Sequence, residues 1–219
     1  MSRKFPETTT WKPPLPTAAD LVRQIGAVVA DLPKFVVAPL RRRRHQTWGA
    51  NPAEVAAPMP GDGLLPRAQY RSTRAITIAA PPERVWPWLV QVGCGRAGWY
   101  ASDLLDNFAR PSVRYIVPEL QHIEPGQWLP WVMKPSERLS FIVDSFDEPQ
   151  WLLWRSRARS WCWRLTPLNG EQTRLVARLN TFYDWRRPGT VITVVLMEVA
   201  DYAMMRRMLR GIKERAEMQ

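Results

Sequence analysis

The apolar positions along this chain change period several times, and each change marks an element. Between Thr17 and Leu32, the residues Leu21, Val22, Ile25, Val28, Val29 and Leu32 recur at helical spacing. Thr17 is placed to cap that helix and Pro33 to end or kink it. Residues 71–80 (RSTRAITIAA) alternate, with Ile76 and Ile78 on one face, as a strand does. Pro82 to Val92 returns to helical spacing through Val85, Trp86, Leu89 and Val92; a proline in the first turn lacks only an N–H that would be unpaired there. The stretch YASDLLDNF (100–108) predicts a second short helix with Ser102 as its cap. Strands are then predicted at 127–132, 140–146, 151–155, 161–167 and 173–182, with the pair Asn169-Gly170 signalling a hairpin between the last two. In the last strand Leu175, Ala177 and Leu179 face one way and Arg174, Val176 and Arg178 the other, the pattern of a sheet wet on one side. Residues 190–217 close the sequence as a long helix with Val191, Val195, Glu198, Tyr202, Met205, Leu209 and Ile212 on one stripe.

Two stretches fit no period. Residues 1–16 are polar and proline-rich, and residues 49–70 are dominated by Pro, Gly and Ala. The expected organisation is therefore a basic N-terminal extension over 1–50 holding one amphipathic helix, a linker over 51–70, and one domain over 71–219. A length of 219 residues accommodates this. Twelve Trp in a chain that is 46 % apolar is a surplus, and four of them fall between 151 and 163. Such bulk requires a packed core or an aromatic-lined cavity.

The net charge of +11 is unevenly spread, because residues 1–50 hold nine Lys or Arg against three Asp or Glu. An apolar-faced helix followed by Arg41, Arg42, Arg43 and Arg44 suits an anionic membrane surface as a partner. Nucleic acid is disfavoured, since no recognition helix or aromatic-interleaved basic strand accompanies the run. Two Cys and two His are too few for a zinc site, so no metal is expected. Residues 21–40 carry too many charges to span a bilayer, and no apolar leader follows Met1. The expected location is cytoplasmic, peripheral at a membrane if the basic segment attaches there.

Residues 93–98, GCGRAG, match the spacing of a dinucleotide-binding loop. That loop must follow a strand and open a helix; here the glycines follow a helix. Their expected work is to stop that helix and bring Trp99 and Tyr100 into place. No cofactor is called for.

The order is strand, helix, short helix, antiparallel strands, long final helix. With it come RAITIAAPPERVWPWLVQVG (74–93), GRAGWYASDLLDN (95–107), IVPELQHIEPGQWL (116–129) and MMRRMLRGIKERAE (204–217). Together these resemble the START-like, or SRPBCC, superfamily over about residues 70–217. The resemblance implies an α+β helix-grip fold, a curved antiparallel sheet wrapped around a long C-terminal helix. It also implies a mainly apolar cavity between the two, which in most members holds a hydrophobic molecule and in a minority serves cyclisation or dehydration.

On that frame Trp99 and Tyr100 become cavity residues, each offering an apolar face and one polar tip. Asp103 and Asn107, one turn apart, are placed to orient a ligand carbonyl or hydroxyl; a solvated face is the plainer alternative. Trp154 and Trp163 belong to neighbouring strands and line either a hollow or a packed core. Tyr202 and Met205 add lining from the last helix. Glu198 interrupts its apolar stripe, so it is either a polar anchor with a raised pKa or a rim residue paired with an arginine. The leading expectation is binding of a hydrophobic small molecule such as a lipid or polyketide. The alternatives are a cyclase or dehydrase in which Glu198, Tyr100, Asp103 or Tyr183 moves protons, and a membrane-surface or partner-binding protein attached through residues 17–45.

Overall fold

The computed structural model describes residues 12–37, 42–132 and 140–218, with the side chains of 31–37 and of Val199 outside the description. The side chain of Leu32 in the first predicted stripe and the whole of Arg41 in the arginine run therefore lie outside the description. Among the described residues there are six strands: β1 (Tyr70–Ile78), β2 (Trp128–Pro130), β3 (Ser140–Asp147), β4 (Trp151–Arg155), β5 (Arg159–Asn169) and β6 (Gln172–Thr181). They form one antiparallel sheet in the order β1-β6-β5-β4-β3-β2. The helices are α1 (Ala18–Val37), α2 (Arg42–Gln46), α3 (Pro52–Ala56), α4 (Pro82–Val90), α5 (Asp103–Asp106), α6 (Thr190–Val195) and α7 (Asp201–Glu217).

The inner face of the sheet takes alternate residues of its strands. Leu152 and Trp154 of β4, Trp161, Trp163 and Leu165 of β5, and Leu175, Ala177 and Leu179 of β6 join Met205, Leu209 and Ile212 of α7 in one core. Gly211 lets α7 approach closely, since a Cβ there would collide with the backbone oxygen of Tyr100. A buried ion pair fixes the start of α7 to β1. Arg74 Nη1 lies 2.6 Å from Asp201 Oδ2, the Tyr70 hydroxyl donates to the same oxygen at 2.7 Å, and Arg74 Nε donates to His45 O.

The outer face departs from expectation. It is covered, not wet, and the stretch expected as an irregular linker is what covers it. Asn51 caps α3 reciprocally with Glu54, and the chain then crosses the sheet so that Met59 packs on Ala75, Leu153, Cys162 and Val176. Arg178 reads this strap through its backbone: Nη2 donates to Glu54 O and Val55 O, and Nη1 to Ala57 O and Asp62 Oδ2. Its Nε donates to Thr73 Oγ1, so a fully buried guanidinium has every donor used. Arg174 holds Glu54 with two hydrogen bonds, 2.7 and 2.8 Å long.

The last helix also departs from the single expected stripe. A π-helical turn over Leu196–Ala200 separates α6 from α7. The extra residue per turn rotates the apolar face, so Val191 and Val195 are exposed while Met205 and Leu209 are buried. Helix α1 begins where Thr17 and Asp20 cap each other and continues through Pro33. It rests on the domain through Gln24, which donates to Ala109 O, and through Ala27 O, which accepts from Arg207.

Both edges of the sheet are occupied. At β1, Ala75 N–H donates to Trp48 O, and Lys213 Nζ donates to Thr77 O. The other edge strand, β2, is three residues long and ends in Pro130, whose carbonyl accepts from Cys94 N–H.

Candidate functional site

The site is built where β4 and β5 bring their indoles together. Their register sets Trp154 opposite Trp161 and Leu152 opposite Trp163, and side chains directly opposite on one face must touch. Trp161 and Trp163 have ring centroids 4.7 Å apart, and Trp154 meets both edge-on at 5.4 and 5.6 Å. Trp99 arrives from the other side and stacks on Trp161 at 6.0 Å. The glycine loop delivers it: Gly93 and Gly98 exchange backbone hydrogen bonds, and Gly98, at φ +87°, sits against Ser112, where a Cβ would collide. These indoles pack on one another as well as facing the interior. The N–H groups of Trp99, Trp161 and Trp163 are buried and have no acceptor among the described residues.

The residues after the loop are spent on holding it. Tyr100 lies under α7 with the Arg215 guanidinium 4.4 Å above its ring, and its hydroxyl accepts from Gln91 Nε2. Burial pushes its pKa up. Asp103 Oδ1 accepts from Ser112 Oγ, which itself accepts from Tyr100 N–H, and Asn107 Nδ2 donates to Arg110 O. Asp103 and Asn107 thus tie the 100–112 loop and do not join the indole layer as ligand-orienting groups. Asp106 goes unnoticed in the sequence. Its carboxyl has one oxygen on Ser102 N–H and the other without a partner, and burial raises its pKa to about 8. Arg96, inside the glycine loop, is buried as well. It donates to Val90 O and Leu120 O while Nε and Nη1 stay unpartnered, and burial lowers its pKa to about 10.

A second polar cluster lies at the strand ends beside the start of α7. Tyr183 follows β6; it is 5 % exposed and its hydroxyl is unpartnered. Burial raises its pKa, with Glu198 adding to the rise and Arg42 and Arg159 opposing it. Glu198, in the π turn, is a rim residue: its Oε2 lies 2.6 Å from Arg42 Nε. Tyr202 stacks on the His45 ring at 3.8 Å, and Met205 is core. Arg159 was missed although the strand period names it, because counting back by two from Trp163 and Trp161 puts it on the inner face. Its guanidinium lies 4.7 Å above the Trp131 ring. The structure therefore gathers Trp99, Trp154 and Trp163 in one layer and Tyr183 and Glu198 in a neighbouring cluster, while Tyr100, Asp103 and Asn107 serve the loop.

A groove of about 360 Å³ opens elsewhere, between Pro82, Pro149, Trp151, Arg164 and Pro167. It lies outside the sheet–helix interface, and no residue from the predicted site lines it. Among the described residues no three His, Cys, Asp or Glu come together as metal ligands.

A scan of protein families and a search of curated proteins each yield no match. Solved structures do. The self-sacrificing resistance protein CalC from Micromonospora echinospora is 13 % identical with a TM-score of 0.42, over 68 % of this chain and 94 % of its own. A polyketide-cyclase-like protein from Corynebacterium glutamicum is 14 % identical with a TM-score of 0.42, over 65 % and 88 %. A START superfamily protein from Mycobacterium smegmatis is 14 % identical with a TM-score of 0.37, over 66 % and 97 %. At these values the likeness says nothing of activity. With six antiparallel strands gripping a buried C-terminal helix, the chain has the α+β helix-grip architecture that its resemblance to START-like proteins implied.

Proposed function

We propose that this protein binds a hydrophobic small molecule against the indole layer between the sheet and α7. The supporting observation is the set of buried, unpartnered polar tips on that layer and beside it: three indole N–H groups and the Tyr183 hydroxyl. Leaving a buried donor without an acceptor costs about 1–3 kcal/mol. Several in one region are a cost that a bound molecule with acceptor atoms would recover, while its apolar surface gains about 25 cal/mol per Å² buried. The large flat faces of Trp99, Trp161 and Trp163 favour a planar guest. A binding role fits better than proton-transfer chemistry, because Tyr100 and Asp103 are committed to the loop and Glu198 to Arg42. Native mass spectrometry of the purified protein, with organic extraction, is the test. A copurifying apolar compound that is lost in Trp161→Ala is expected. Absence of any such compound, together with no uptake of the neutral fluorophore N-phenyl-1-naphthylamine, overturns the reading.

A specific observation also favours attachment to an anionic membrane. Helix α1 turns Gln24 to the domain and leaves Val22, Ile25 and Val29 exposed, and α6 exposes Val191, Ile192 and Val195. Arg42 pins α2 beside the junction of α6 and α7, and Arg43 and Arg44 stay exposed next to it. None of the helices among the described residues is long and apolar enough to cross a membrane, so this surface would lie on the bilayer. The full chain should sediment with vesicles containing phosphatidylserine and not with phosphatidylcholine alone. Equal sedimentation of an Arg43→Glu/Arg44→Glu variant ends the idea.

A further inference from the structure

The polar cluster beside the indole layer is out of electrostatic balance. Arg42 is matched by Glu198 and Arg74 by Asp201, each at 2.6 Å. Arg159, the third guanidinium, makes no hydrogen bond or ion pair among the described residues. Asp201 and Tyr183 are close enough to influence it, but Asp201 Oδ2 is already taken by Arg74 and Tyr70. Burial pulls the Arg159 pKa down, with Asp201 and Tyr183 opposing the shift. The cation is held by a ring face instead: it stacks on Trp131, which in turn stacks on Phe141 at 5.4 Å and lies 6.0 Å from Trp99. A guanidinium held over an indole face by its central carbon still has N–H groups to offer an anion. The neighbouring Tyr183 hydroxyl, which has no hydrogen-bond partner among the described residues, is a second donor in the same cluster.

We propose that the ligand is an acid: a planar aromatic carboxylic acid whose rings lie on the indole layer and whose carboxylate is received by Arg159 and the Tyr183 hydroxyl. This rests on the binding reading above and gives it a chemical class. The carboxylate supplies the missing negative charge of the cluster, and a guanidinium matches its two oxygens. A neutral guest of the same shape would keep the ring contacts and leave Arg159 unmatched.

The test is calorimetric titration of the full chain with matched pairs: benzoic, 1-naphthoic and 9-anthracenecarboxylic acids, each against its own alcohol. The largest ring system that fits should bind as the acid about ten- to a hundredfold more tightly than as the alcohol. Arg159→Gln should erase that preference while leaving the alcohol's affinity within about twofold, which also shows that the variant is folded and its site intact. Arg159→Lys should recover part of the preference, because it restores charge without the fork. Tyr183→Phe should weaken the acid several-fold. Acid and alcohol binding equally, or a preference that survives Arg159→Gln, overturns the proposal and leaves apolar binding standing. Failure of every acid and every alcohol to bind overturns both.

Discussion

Both faces of the sheet bury polar atoms, and Arg178 on one and the indole layer on the other stand at opposite extremes of satisfaction. On the outer face Arg178 is enclosed with each of its donors on an acceptor, four of them reading the backbone or Asp62 of the covering strap. On the inner face the Trp99, Trp161 and Trp163 N–H groups are enclosed with no acceptor among the described residues. Satisfied burial is the mark of a group doing structural work, since its removal strands every partner at once. Unsatisfied burial costs stability and persists where something else supplies the partner. The outer face would then be scaffold and the inner face a receiving surface.

The comparison breaks most easily at Arg178. Arg178→Met should cost about 3–5 kcal/mol, because it abandons a carboxylate and three strap carbonyls in a buried site. Urea denaturation measures it, and a loss below about 1 kcal/mol would mean that the strap is held by Met59 packing alone. Next is Gly98→Ala, which places a Cβ into Ser112 at a φ of +87° and should cost about 1–3 kcal/mol by strain. The same variant should displace Trp99 and change the near-ultraviolet circular dichroism of the indole layer.

Asp106 tests the unmatched class by pH. Its folded pKa, about 8, lies above the ordinary carboxylate value of 3.8. The folded state therefore holds the extra proton between these values, and the Asp106 contribution to stability falls as pH rises through that window. Asp106→Asn should flatten the pH dependence of the urea midpoint by about one proton between pH 4 and 8; an unchanged slope means that the carboxyl is ionised in the fold. The smallest effect is expected on replacing Trp161 with its benzothiophene analogue, which keeps both fused rings and deletes only the N–H that has no acceptor among the described residues. Stability should stay within about 1 kcal/mol, and a larger loss would show that the N–H is already paired with ordered water.

How far the sequence was legible follows the same division. Period-two alternation puts Trp161 and Trp163 on one face, and Trp154 on the face opposite Trp151 and Arg155, because one residue per face is a geometric property of a strand. The same count reaches Arg159, but a charge at a strand's start reads as surface unless the chain is followed back. The strap over 51–65 was hidden by its Pro and Gly content, although Asn51-Pro-Ala-Glu54 has the spacing of a capping box. The exposed Val191 and Val195 could not be foreseen, since no residue type announces a π turn and a straight 3.6 period carries the stripe past it. The spacing of Asp103 and Asn107 does not name their partners, Ser112 and Arg110, which the loop brings back.

Edge protection has a consequence for how so aromatic a chain stays apart from its copies. One outermost strand has a backbone donor and a carbonyl engaged by Trp48 and Lys213; the other is three residues long and ends in a proline that offers no N–H. The second margin is too short, and the first is interrupted at its middle, for the long ladder of free amides that strand-by-strand growth requires. Self-association in concentrated solution should therefore run through side chains on the exposed helices, remain reversible, and respond to detergent, without seeding cross-β fibres.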